Sequence, residues 1–377
     1  MSLLHLCHIF PAFAAGGPEV RTSLLIDASA DTYRHTIVAL NGNLTGRSRI
    51  RRAEEVTFLD GRHEGGQLGN ALALRRMLTH LRPNLVLTYG WGGTDAVAAA
   101  RFSGFHRLIH TEDGFLPDES QRQKFKRVLW RRLFLRMPAR VVVPSRTLQR
   151  IATDIWWLSP RRICYLPNGV DTTRFAPASP ERVLAARRRL GCCPGEVVVG
   201  SVGHLREEKN HKRLLNAFAA LATQQPARLV LLGEGPLRES LAQQAQELGL
   251  ADRVSFTGLV QDTWEYYPAM DGLAMSSDTE QMPIAVLEAM SMGLPVVSTD
   301  VGDVKNMVGS ENQRWVTPLG DEPAYLAALM ELAKSPSERA RLGQANREKC
   351  LRDYDLRVMV NAYLELYSQV LGTWRPS

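Results

Sequence analysis

Residues 272–300 have the sequence GLAMSSDTEQMPIAVLEAMSMGLPVVSTD, in which two short apolar runs flank a polar loop and a helix-like segment. The runs 272–277 and 294–300 are continuous and apolar, which predicts strands buried on both faces. The segment between them, IAVLEAMSMG, predicts the crossover helix that joins two strands of a parallel sheet. This stretch therefore predicts a βαβ unit of the α/β class.

The same alternation of apolar runs and helix-like segments fills the rest of the 377-residue chain. Strand-like runs occupy 3–10, 35–40, 55–60, 84–90, 107–111, 140–145 and 163–168 in the first half, and 197–203, 228–233, 253–258, 272–277, 294–300 and 314–318 in the second. Each half therefore supplies enough strands for its own doubly wound parallel sheet. A stretch with three prolines, 171–195, separates the two sets.

We predict two Rossmann-like domains that face a central cleft, the first spanning 1–171 and the second 172–355. Ligands of open parallel sheets bind outside the carboxyl ends of the strands, so the cleft between the facing edges is the expected binding site. The C-terminal segment 356–377 carries apolar side chains at helical spacing, and we expect this helix to pack back on the first domain.

The charge of the chain is unevenly distributed. Residues 1–171 carry 24 basic and 14 acidic side chains, whereas the remainder carries 22 basic and 25 acidic ones. A basic module can face nucleic acid, an anionic membrane or a phosphorylated substrate. We expect no nucleic-acid partner, because neither an aromatic platform nor a known binding motif accompanies the basic residues.

The lengths of the apolar stretches and the spacing of the cysteines indicate in which cellular compartment the protein is found. No stretch of 18 apolar residues is present, which argues against a membrane span. The five cysteines show no C-x-x-C spacing, so they predict neither a zinc site nor a disulfide framework. This cysteine usage fits a reducing compartment, and we expect a cytoplasmic protein.

Two loops of the first domain contain candidate site residues. Gly16 and Gly17 follow the first strand and precede Pro18, which suits a helix start whose amides bind an anion; a plain tight turn explains them equally well. His110 lies near the end of the strand 107–111, next to two carboxylates. Such a group is typical of an active site, and a solvated loop is the alternative.

The second domain has a candidate phosphate cradle after its first strand. Gly203, His204, Arg206 and Lys209 stand there, just before a predicted helix. Glycines, cations and a helix N-terminus together suit a diphosphate that departs during a reaction. The G-K-[ST] ending of a Walker loop is missing, and a surface cluster of charges is the alternative.

Glu280 and Glu288 form the most informative pair in the chain. Seven residues separate them; Glu280 lies in the loop after a strand, and Glu288 falls in the second turn of the next helix. Pro283 suits the first turn of that helix, where free amides can meet an anion. Two carboxylates so placed can accept hydrogen bonds from pairs of hydroxyl groups, as sugars and riboses present them. Glu288 also lies inside an apolar run, where a buried acid needs partners.

Together, these segments resemble the retaining nucleotide-sugar glycosyltransferases of family 4, which have the GT-B fold, and in particular those that build bacterial polysaccharides and glycolipids. The resemblance spans nearly the whole chain and depends on the order of several short motifs. These are GGPE at 16–19, NGVD at 168–171, VGHLREEKN at 202–210, LLGEGP at 231–236, the two glutamates with EAMSMGLPVVSTDVGD at 288–303, and YLELY at 363–367.

The resemblance implies a retaining transfer of a sugar from a UDP- or GDP-sugar to a saccharide or lipid-linked acceptor. By this resemblance, Glu288 accepts the ribose hydroxyls, Glu280 contacts the donor sugar and Lys209 binds the diphosphate. Gly17 lies near the phosphates, and His110 contacts the donor sugar near the reacting centre. The predicted catalytic residues are Glu280, His110 and Lys209.

The resemblance also implies that no metal or other cofactor is needed, because basic side chains neutralise the leaving diphosphate. The nucleoside diphosphate sugar is a substrate and not a cofactor. The residues predicted to bind it are Gly16, Gly17, Gly203, His204, Arg206, Lys209, Gln281, Met282, Pro283, Ile284 and Glu288.

Three segments depart from the family pattern. His204 stands where the family usually has arginine, and Asp303 stands in place of a second glycine after Gly302. Gln281 and Met282 replace the Gly and Phe of the usual E-G-F-P segment. These departures leave two other functions open, a catalytically weak scaffold protein that binds nucleotide sugars and a GT-B nucleotide-sugar epimerase or hydrolase.

A basic segment of the first domain suggests a membrane contact. Residues 120–153 contain ten basic and no acidic side chains, with apolar side chains at approximate helical spacing. A basic amphipathic helix at 122–140 is typical of an anionic interface, and an ordinary domain helix is the alternative. The candidate face consists of Lys124, Arg127, Trp130 and Arg131. On the membrane hypothesis, the protein is peripheral on the inner face of the plasma membrane.

Overall fold

The structure is a computed structural model that describes residues 3–14, 16–62, 66–115, 119 and 123–372, without the side chains of 66–71. The chain divides into two compact units. We name them the N-terminal unit, Met1–Asn168 with Arg357–Ser377, and the C-terminal unit, Gly169–Leu356.

The first crossing between the units lies at 168–169, earlier than the predicted boundary at 171–172. Val170 explains the difference, because its amide donates to the carbonyl of Tyr354 and its carbonyl accepts from the amide of Leu356, both at 2.9 Å. These bonds tie Val170 to the C-terminal unit.

A parallel sheet forms the centre of the N-terminal unit. Its strands are β1 (Leu4–Phe10), β2 (Tyr33–Ala39), β3 (Val56–Asp60), β4 (Leu85–Tyr89), β5 (Leu108–Thr111), β6 (Arg140–Val143) and β7 (Ile163–Tyr165). They lie in the order β3-β2-β1-β4-β5-β6-β7, and every neighbouring pair is parallel. The helices between them are α1 (Gly17–Ser29), α2 (Gly66–Leu81), α3 (Thr94–Phe102), α4 (Phe125–Phe134) and α5 (Arg146–Asp154).

The C-terminal unit repeats this architecture with six strands. They are β8 (Val197–Val202), β9 (Ala227–Leu232), β10 (Val254–Gly258), β11 (Gly272–Met275), β12 (Val296–Thr299) and β13 (Val316–Thr317), in the parallel order β10-β9-β8-β11-β12-β13. Its helices are α6 (Pro180–Arg189), α7 (His211–Ala222), α8 (Arg238–Glu247), α9 (Ile284–Ser291), α10 (Val304–Met307), α11 (Glu322–Lys334) and α12 (Pro336–Asp353). The last helix, α13 (Leu356–Leu371), belongs to the N-terminal unit from Arg357 onward.

The predicted α/β class and all the predicted strands are confirmed, each strand within three residues of its predicted bounds. The apolar runs are continuous because both faces of each sheet are covered. In β8, Val197 and Val199 face one apolar cluster and Val198 faces another, and Leu229 and Val230 of β9 divide in the same way. A strand buried on both faces needs apolar side chains at successive positions.

Two segments differ from their predicted form. The stretch 171–195, expected as a separator, contains α6 and lies in the C-terminal unit, where Ser179 caps the helix. Of the predicted C-terminal helix, residues 373–377 lie outside the described residues. No helix within the described ranges has the length and apolar composition that crossing a bilayer requires.

Candidate active site

The strand order of the C-terminal sheet reverses between β8 and β11, and the loops after these two strands carry most of the predicted donor residues. Open α/β sheets bind ligands at such a reversal point. The loop after β8 packs against the loop after β9 so closely that a Cβ atom on Gly233 would lie 1.9 Å from the carbonyl oxygen of Gly203. A Cβ atom on Gly235 would lie 2.4 Å from the carbonyl oxygen of Leu205. The glycines of LLGEGP therefore allow the VGHLREEKN loop to take its shape.

Lys209 ends a short 3₁₀ turn that leads into α7. The next residue, Asn210, has φ of 42° and caps α7 by accepting a hydrogen bond from the amide of Arg213 (3.2 Å). The Asn210 amide group also donates to both carboxylate oxygens of Asp278, at 3.1 and 3.2 Å. Sequence reasoning gave neither residue a role: Asn210 is only the last residue of the VGHLREEKN motif, and Asp278 lies in a different loop.

Lys209 and Glu280, two of the predicted catalytic residues, are in direct contact. Lys209 Nζ lies 2.5 Å from Glu280 Oε1, and the Ser277 hydroxyl donates to the same oxygen at 2.8 Å. The side chains of Lys209 and Glu280 are 26% and 11% exposed. The structure thus brings a cation and a carboxylate to the carboxyl ends of β8 and β11, each still open to solvent.

Glu288 lies on α9 and accepts hydrogen bonds from a residue with no sequence signal. The hydroxyl of Tyr267, which is fully buried, is 2.8 Å from Glu288 Oε2, and the Thr263 hydroxyl is 3.4 Å from it. Burial, together with the charge of Glu288, raises the pKa of Tyr267 well above its usual value. The phenol therefore stays protonated and donates to the carboxylate. This explains how an acid is tolerated inside the apolar run of α9.

Gly302 packs against the backbone of the segment between Glu280 and α9. Gly302 has φ of 58°, and a Cβ atom there would lie 2.5 Å from the carbonyl oxygen of Glu280. The amide of Asp303 donates to the carbonyl of Gln281 at 2.9 Å. The Asp303 side chain is buried at the start of α10, so this departure from the family pattern adds a carboxyl group to the interior and not to the surface.

Other donor residues predicted from the sequence are distributed around this segment. Pro283 is the N-cap of α9 and Ile284 is its first residue, so the helix begins one residue later than expected. Met282 is buried in the apolar core. His204 Nδ1 lies 3.4 Å from the carbonyl of Glu234, and Arg206 is exposed.

In the N-terminal unit, the carboxyl group of Glu19 lies over the start of α1. Gly16 is the N-cap and Gly17 the first residue of α1. The Glu19 side chain folds over Gly16, where a Cβ atom would lie 2.4 Å from Glu19 Oε2. Burial, reinforced by the nearby charge of Asp113, raises the pKa of Glu19 to about 7. The predicted anion-binding amides thus have an acidic side chain beside them.

His110 is fully buried at the end of β5. Its Nδ1 lies 2.9 Å from the Thr88 hydroxyl, and its Nε2 is 3.9 Å from Glu112 Oε2, beyond hydrogen-bond distance. Three residues further on, Asp113 forms a bidentate ion pair with the buried Arg21 at 2.6 and 2.9 Å. Sequence reasoning missed Arg21, which no spacing pattern relates to Asp113.

The predicted membrane face on α4 is wrong for Arg131. Its side chain is fully buried and pairs with Glu119 at 3.2 Å and with Glu112 at 3.3 Å. The rings of Trp91, Phe115 and Trp156 enclose the guanidinium group, with centroids 4.9, 5.3 and 5.1 Å from its central carbon. Arginine tolerates such a site because its planar group stacks on rings and pairs with carboxylates at the same time.

The other three predicted residues of that face differ in their exposure to solvent. Arg127 is 18% exposed and pairs with Glu119 at 3.0 Å, whereas Lys124 and Trp130 are exposed. The helix itself, Phe125–Phe134, is shorter than the predicted 122–140, and Arg122 lies outside the described residues.

The described residues contain no group of three or more His, Cys, Asp or Glu side chains that could hold a metal ion.

Two family models match the chain. The model described as "Glycosyltransferase Family 4" matches residues 15–174, and the model described as "Glycosyl transferases group 1" matches residues 185–349. The two matches follow one another along the chain and meet close to the division between the two units.

Individual relatives agree with these matches. Bacillus subtilis (strain 168) EpsD, whose name assigns it to the glycosyltransferases, is 29% identical over 201 residues, which are 53% of this chain and 52% of EpsD. The Escherichia coli protein named UDP-Gal:alpha-D-GlcNAc-diphosphoundecaprenol alpha-1,3-galactosyltransferase is 28% identical over 240 residues, which are 62% of each chain. The chain thus matches about half to three fifths of the length of these curated relatives.

Among solved structures, Anabaena HepE in complex with UDP-glucose has a TM-score of 0.83 to this chain at 19% identity, with 97% of this chain and 100% of HepE covered. At that identity the likeness shows the fold. The fold, the two consecutive family matches and the ordered motifs together place this chain in the family 4 glycosyltransferases with the GT-B fold.

Proposed function

We propose that this protein is a retaining glycosyltransferase that moves a sugar from a nucleoside diphosphate sugar to a saccharide or lipid-linked acceptor in the synthesis of a surface polysaccharide or glycolipid. The observation that carries the proposal is the contact between Lys209 and Glu280 at the reversal point of the C-terminal sheet. A cation that can hold a diphosphate and a carboxylate that can hold sugar hydroxyls are the two groups that such a donor requires.

The roles of the site residues follow from their charge and position. Lys209 and Arg206 neutralise the charge that develops on the leaving diphosphate, so the transfer needs no metal ion. Glu280 orients the donor sugar, and Glu288, held by Tyr267, accepts the ribose hydroxyls. The contact of His110 with the sugar stays a prediction, since this side chain is fully buried within the N-terminal unit.

The relatives support a uridine nucleotide as the first donor to test. HepE has been solved with UDP-glucose, and the Escherichia coli relative is named for UDP-Gal. We therefore propose a UDP-hexose as the donor and a GDP-hexose as the second candidate.

A lipid-linked acceptor agrees with the surface of α4. Its outer side exposes Phe125, Leu129, Trp130 and Leu133, which are between 42% and 76% exposed, next to Lys124. Apolar and basic side chains on one helix surface suit an anionic lipid interface. The name of the Escherichia coli relative gives its acceptor as alpha-D-GlcNAc-diphosphoundecaprenol, which is a lipid-linked sugar. The protein then acts as a peripheral protein on the inner face of the membrane.

Sugar transfer tests the proposal directly. The purified chain is incubated with labelled UDP-glucose, UDP-galactose or GDP-mannose and a lipid extract that contains polyprenyl-diphosphate-linked sugars. We expect transfer to lipid with retained anomeric configuration, measured by NMR, and a loss of at least about 100-fold in Lys209→Ala and Glu280→Ala. Lys212→Ala is the matched control, because Lys212 is an exposed lysine on the neighbouring turn.

Two outcomes contradict the proposal. Wild-type rates in both Lys209→Ala and Glu280→Ala exclude this site. Rapid hydrolysis or epimer formation with the donor alone, and no transfer to any acceptor, identifies a different GT-B chemistry.

A further inference from the structure

We propose that Glu280 is a counter-ion that changes partner during donor binding. In the structure it pairs with Lys209. When a diphosphate binds Lys209, the carboxylate passes to the hydroxyl groups of the donor sugar. The inference rests on the proposed function of this site and deepens it, because one carboxylate then couples recognition of the diphosphate to recognition of the sugar.

The hydrogen bonds of Glu280 are the first step of the argument. Its Oε1 accepts from Lys209 Nζ at 2.5 Å and from the Ser277 hydroxyl at 2.8 Å. Two donors at this distance occupy the oxygen, so a sugar hydroxyl cannot bind it while Lys209 stays in place. Likewise, Lys209 cannot give its full charge to a phosphate while the carboxylate lies against its ammonium group.

The backbone around both residues is held in place independently of the ion pair. The Ser276 hydroxyl donates to the carbonyl of Lys209 at 3.0 Å, and the amide of Asp278 donates to the carbonyl of Glu208 at 2.8 Å. The Asn210 side chain adds two bonds to the Asp278 carboxylate. These bonds join the two loops without using either charged group. The partners can therefore exchange by rotation of the two long side chains alone.

Charge decides the order of events. A diphosphate on Lys209 brings negative charge next to Glu280, and two like charges at such a distance repel each other strongly where burial limits screening. This repulsion favours rotation of the carboxylate away from Lys209. A bare nucleoside diphosphate offers Glu280 no replacement partner, whereas a nucleoside diphosphate sugar offers hydroxyl donors. Glu280 therefore opposes the binding of the diphosphate alone and favours the binding of the complete donor.

Calorimetric titration of the full-length chain with UDP and GDP tests this exchange. Because Gln keeps the shape of Glu and removes the charge, we expect Glu280→Gln to bind the nucleoside diphosphate about fivefold more tightly than wild type, the size expected for a partly exposed ion pair. The same variant should gain less affinity, or lose affinity, for UDP-glucose. In a Lys209→Met background, Glu280→Gln should tighten the binding of the diphosphate less than it does in wild type, because the ion pair no longer exists and only charge repulsion is relieved.

Glu207→Gln is the matched control, since it removes one negative charge from the exposed side chain two residues before Lys209. Equal or weaker binding of both diphosphates by Glu280→Gln and by the second variant, Glu280→Ala, overturns the exchange. Equal tightening in Glu207→Gln overturns it as well, since net charge then explains the result. If wild type binds neither diphosphate, the proposed function itself fails; if wild type binds and Glu280→Gln does not tighten, only the exchange fails.

Discussion

Glu288 shows how much a recognisable residue depends on one that has no sequence signal. Its carboxylate accepts from the hydroxyl of Tyr267, which lies 21 residues earlier and is fully buried. A charged group in an apolar segment is stable only when donors replace the water that it loses. Tyr267 is therefore part of the proposed donor site, although the motifs of the sequence contain only the two glutamates.

Replacement of Tyr267 by Phe measures this dependence. We expect the affinity for UDP to fall about tenfold and the free energy of unfolding to fall by about 1–2 kcal/mol, because the half-buried carboxylate of Glu288 loses a hydrogen bond from a buried donor. Titration calorimetry and urea unfolding supply the two numbers. Tyr266→Phe, at the adjacent and less buried position, is the control. Wild-type affinity in Tyr267→Phe would show that Glu288 does not need this donor.

Gly302 is a second residue whose importance is structural and local. Alanine there needs a positive φ, and its Cβ would lie 2.5 Å from the Glu280 carbonyl oxygen and 2.6 Å from that of Gln281. We expect Gly302→Ala to displace the Glu280 segment and to lower sugar transfer at least tenfold, about 1.4 kcal/mol in the activation free energy. Gly320→Ala is the matched control, because Gly320 has φ of 87° and no atom within 4 Å of a Cβ there. Equal activity in Gly302→Ala and Gly320→Ala would contradict this expectation, because the backbone strain that both variants share would then explain any loss without the contact with the Glu280 carbonyl.

At the scale of elements, α4 has two chemically different sides. Arg131 points inward to two carboxylates and three aromatic rings, whereas Phe125, Leu129 and Leu133 form an exposed row at four-residue spacing. A row at that spacing lies along one face of a helix. The membrane hypothesis for this helix thus depends on its apolar face, with Lys124 supplying the charge, and no longer on Arg131.

Vesicle binding tests the outer side of α4. We expect wild type to co-sediment with vesicles that contain phosphatidylglycerol and not with pure phosphatidylcholine vesicles, because the helix combines basic and apolar side chains. Leu129→Asp should abolish this binding without a change in unfolding free energy, since Leu129 is 45% exposed. Leu184→Asp on α6, at a position 55% exposed, is the control. Equal sedimentation with both vesicle types, or with neither, would remove the membrane claim.

At the scale of the whole molecule, each unit is a parallel sheet covered on both faces, and the N-terminal unit buries a chain of histidines in this interior. His8 Nε2 lies 3.0 Å from His35 Nδ1, and His8 Nδ1 lies 2.8 Å from the Tyr89 hydroxyl. Burial lowers the pKa of His35 to about 4, with the charge of His5 adding to it, and lowers that of His8 well below its usual value. Folding therefore keeps these rings neutral.

This burial makes stability depend on pH. Between about pH 6.5 and pH 4 the unfolded chain binds a proton at His35 and the folded chain does not, so the free energy of unfolding decreases as the pH falls through this range. Above pH 6.5, His35 causes no loss of stability. Once the pH is below 4, its burial lowers the free energy of unfolding by about 3 kcal/mol. Urea unfolding at pH 7 and pH 5 should show a smaller pH-dependent loss in His35→Gln than in wild type. His106→Gln, which alters an exposed histidine, should keep the wild-type loss.

Glu19 titrates in the opposite sense. Its pKa is raised to about 7 by burial, so it stabilises the folded chain at low pH and loses this effect as the pH rises through 7. The comparison of His35→Gln with wild type removes this term, because both proteins retain Glu19. An identical pH-dependent loss in the two proteins would contradict the role of the histidine chain.

The positions of the strands along the sequence were predictable, because the apolar runs that predict them are a local property of the sequence. The donor loop was predictable in part: Lys209 and Glu280 carry motif signals, and the structure brings them together. The supporting residues Tyr267 and Asp278 were not predictable, since their partners lie in other elements of the chain. The burial of Arg131 was missed for the same reason, because its partner Glu119 lies just before the basic segment and outside the stretch that suggested a membrane helix.

By itself, the sequence determined the α/β class, the strands of both sheets and the order of the family motifs, because apolar runs, glycines and helix signals act over a few residues. Only the tertiary structure decided which charged groups meet. It placed Lys209 against Glu280 across 71 residues of chain and enclosed Arg131 among aromatic rings. The physical reason is that hydrogen bonds, ion pairs and burial depend on distance in space, which a parallel fold sets by bringing the ends of separate strands to one edge.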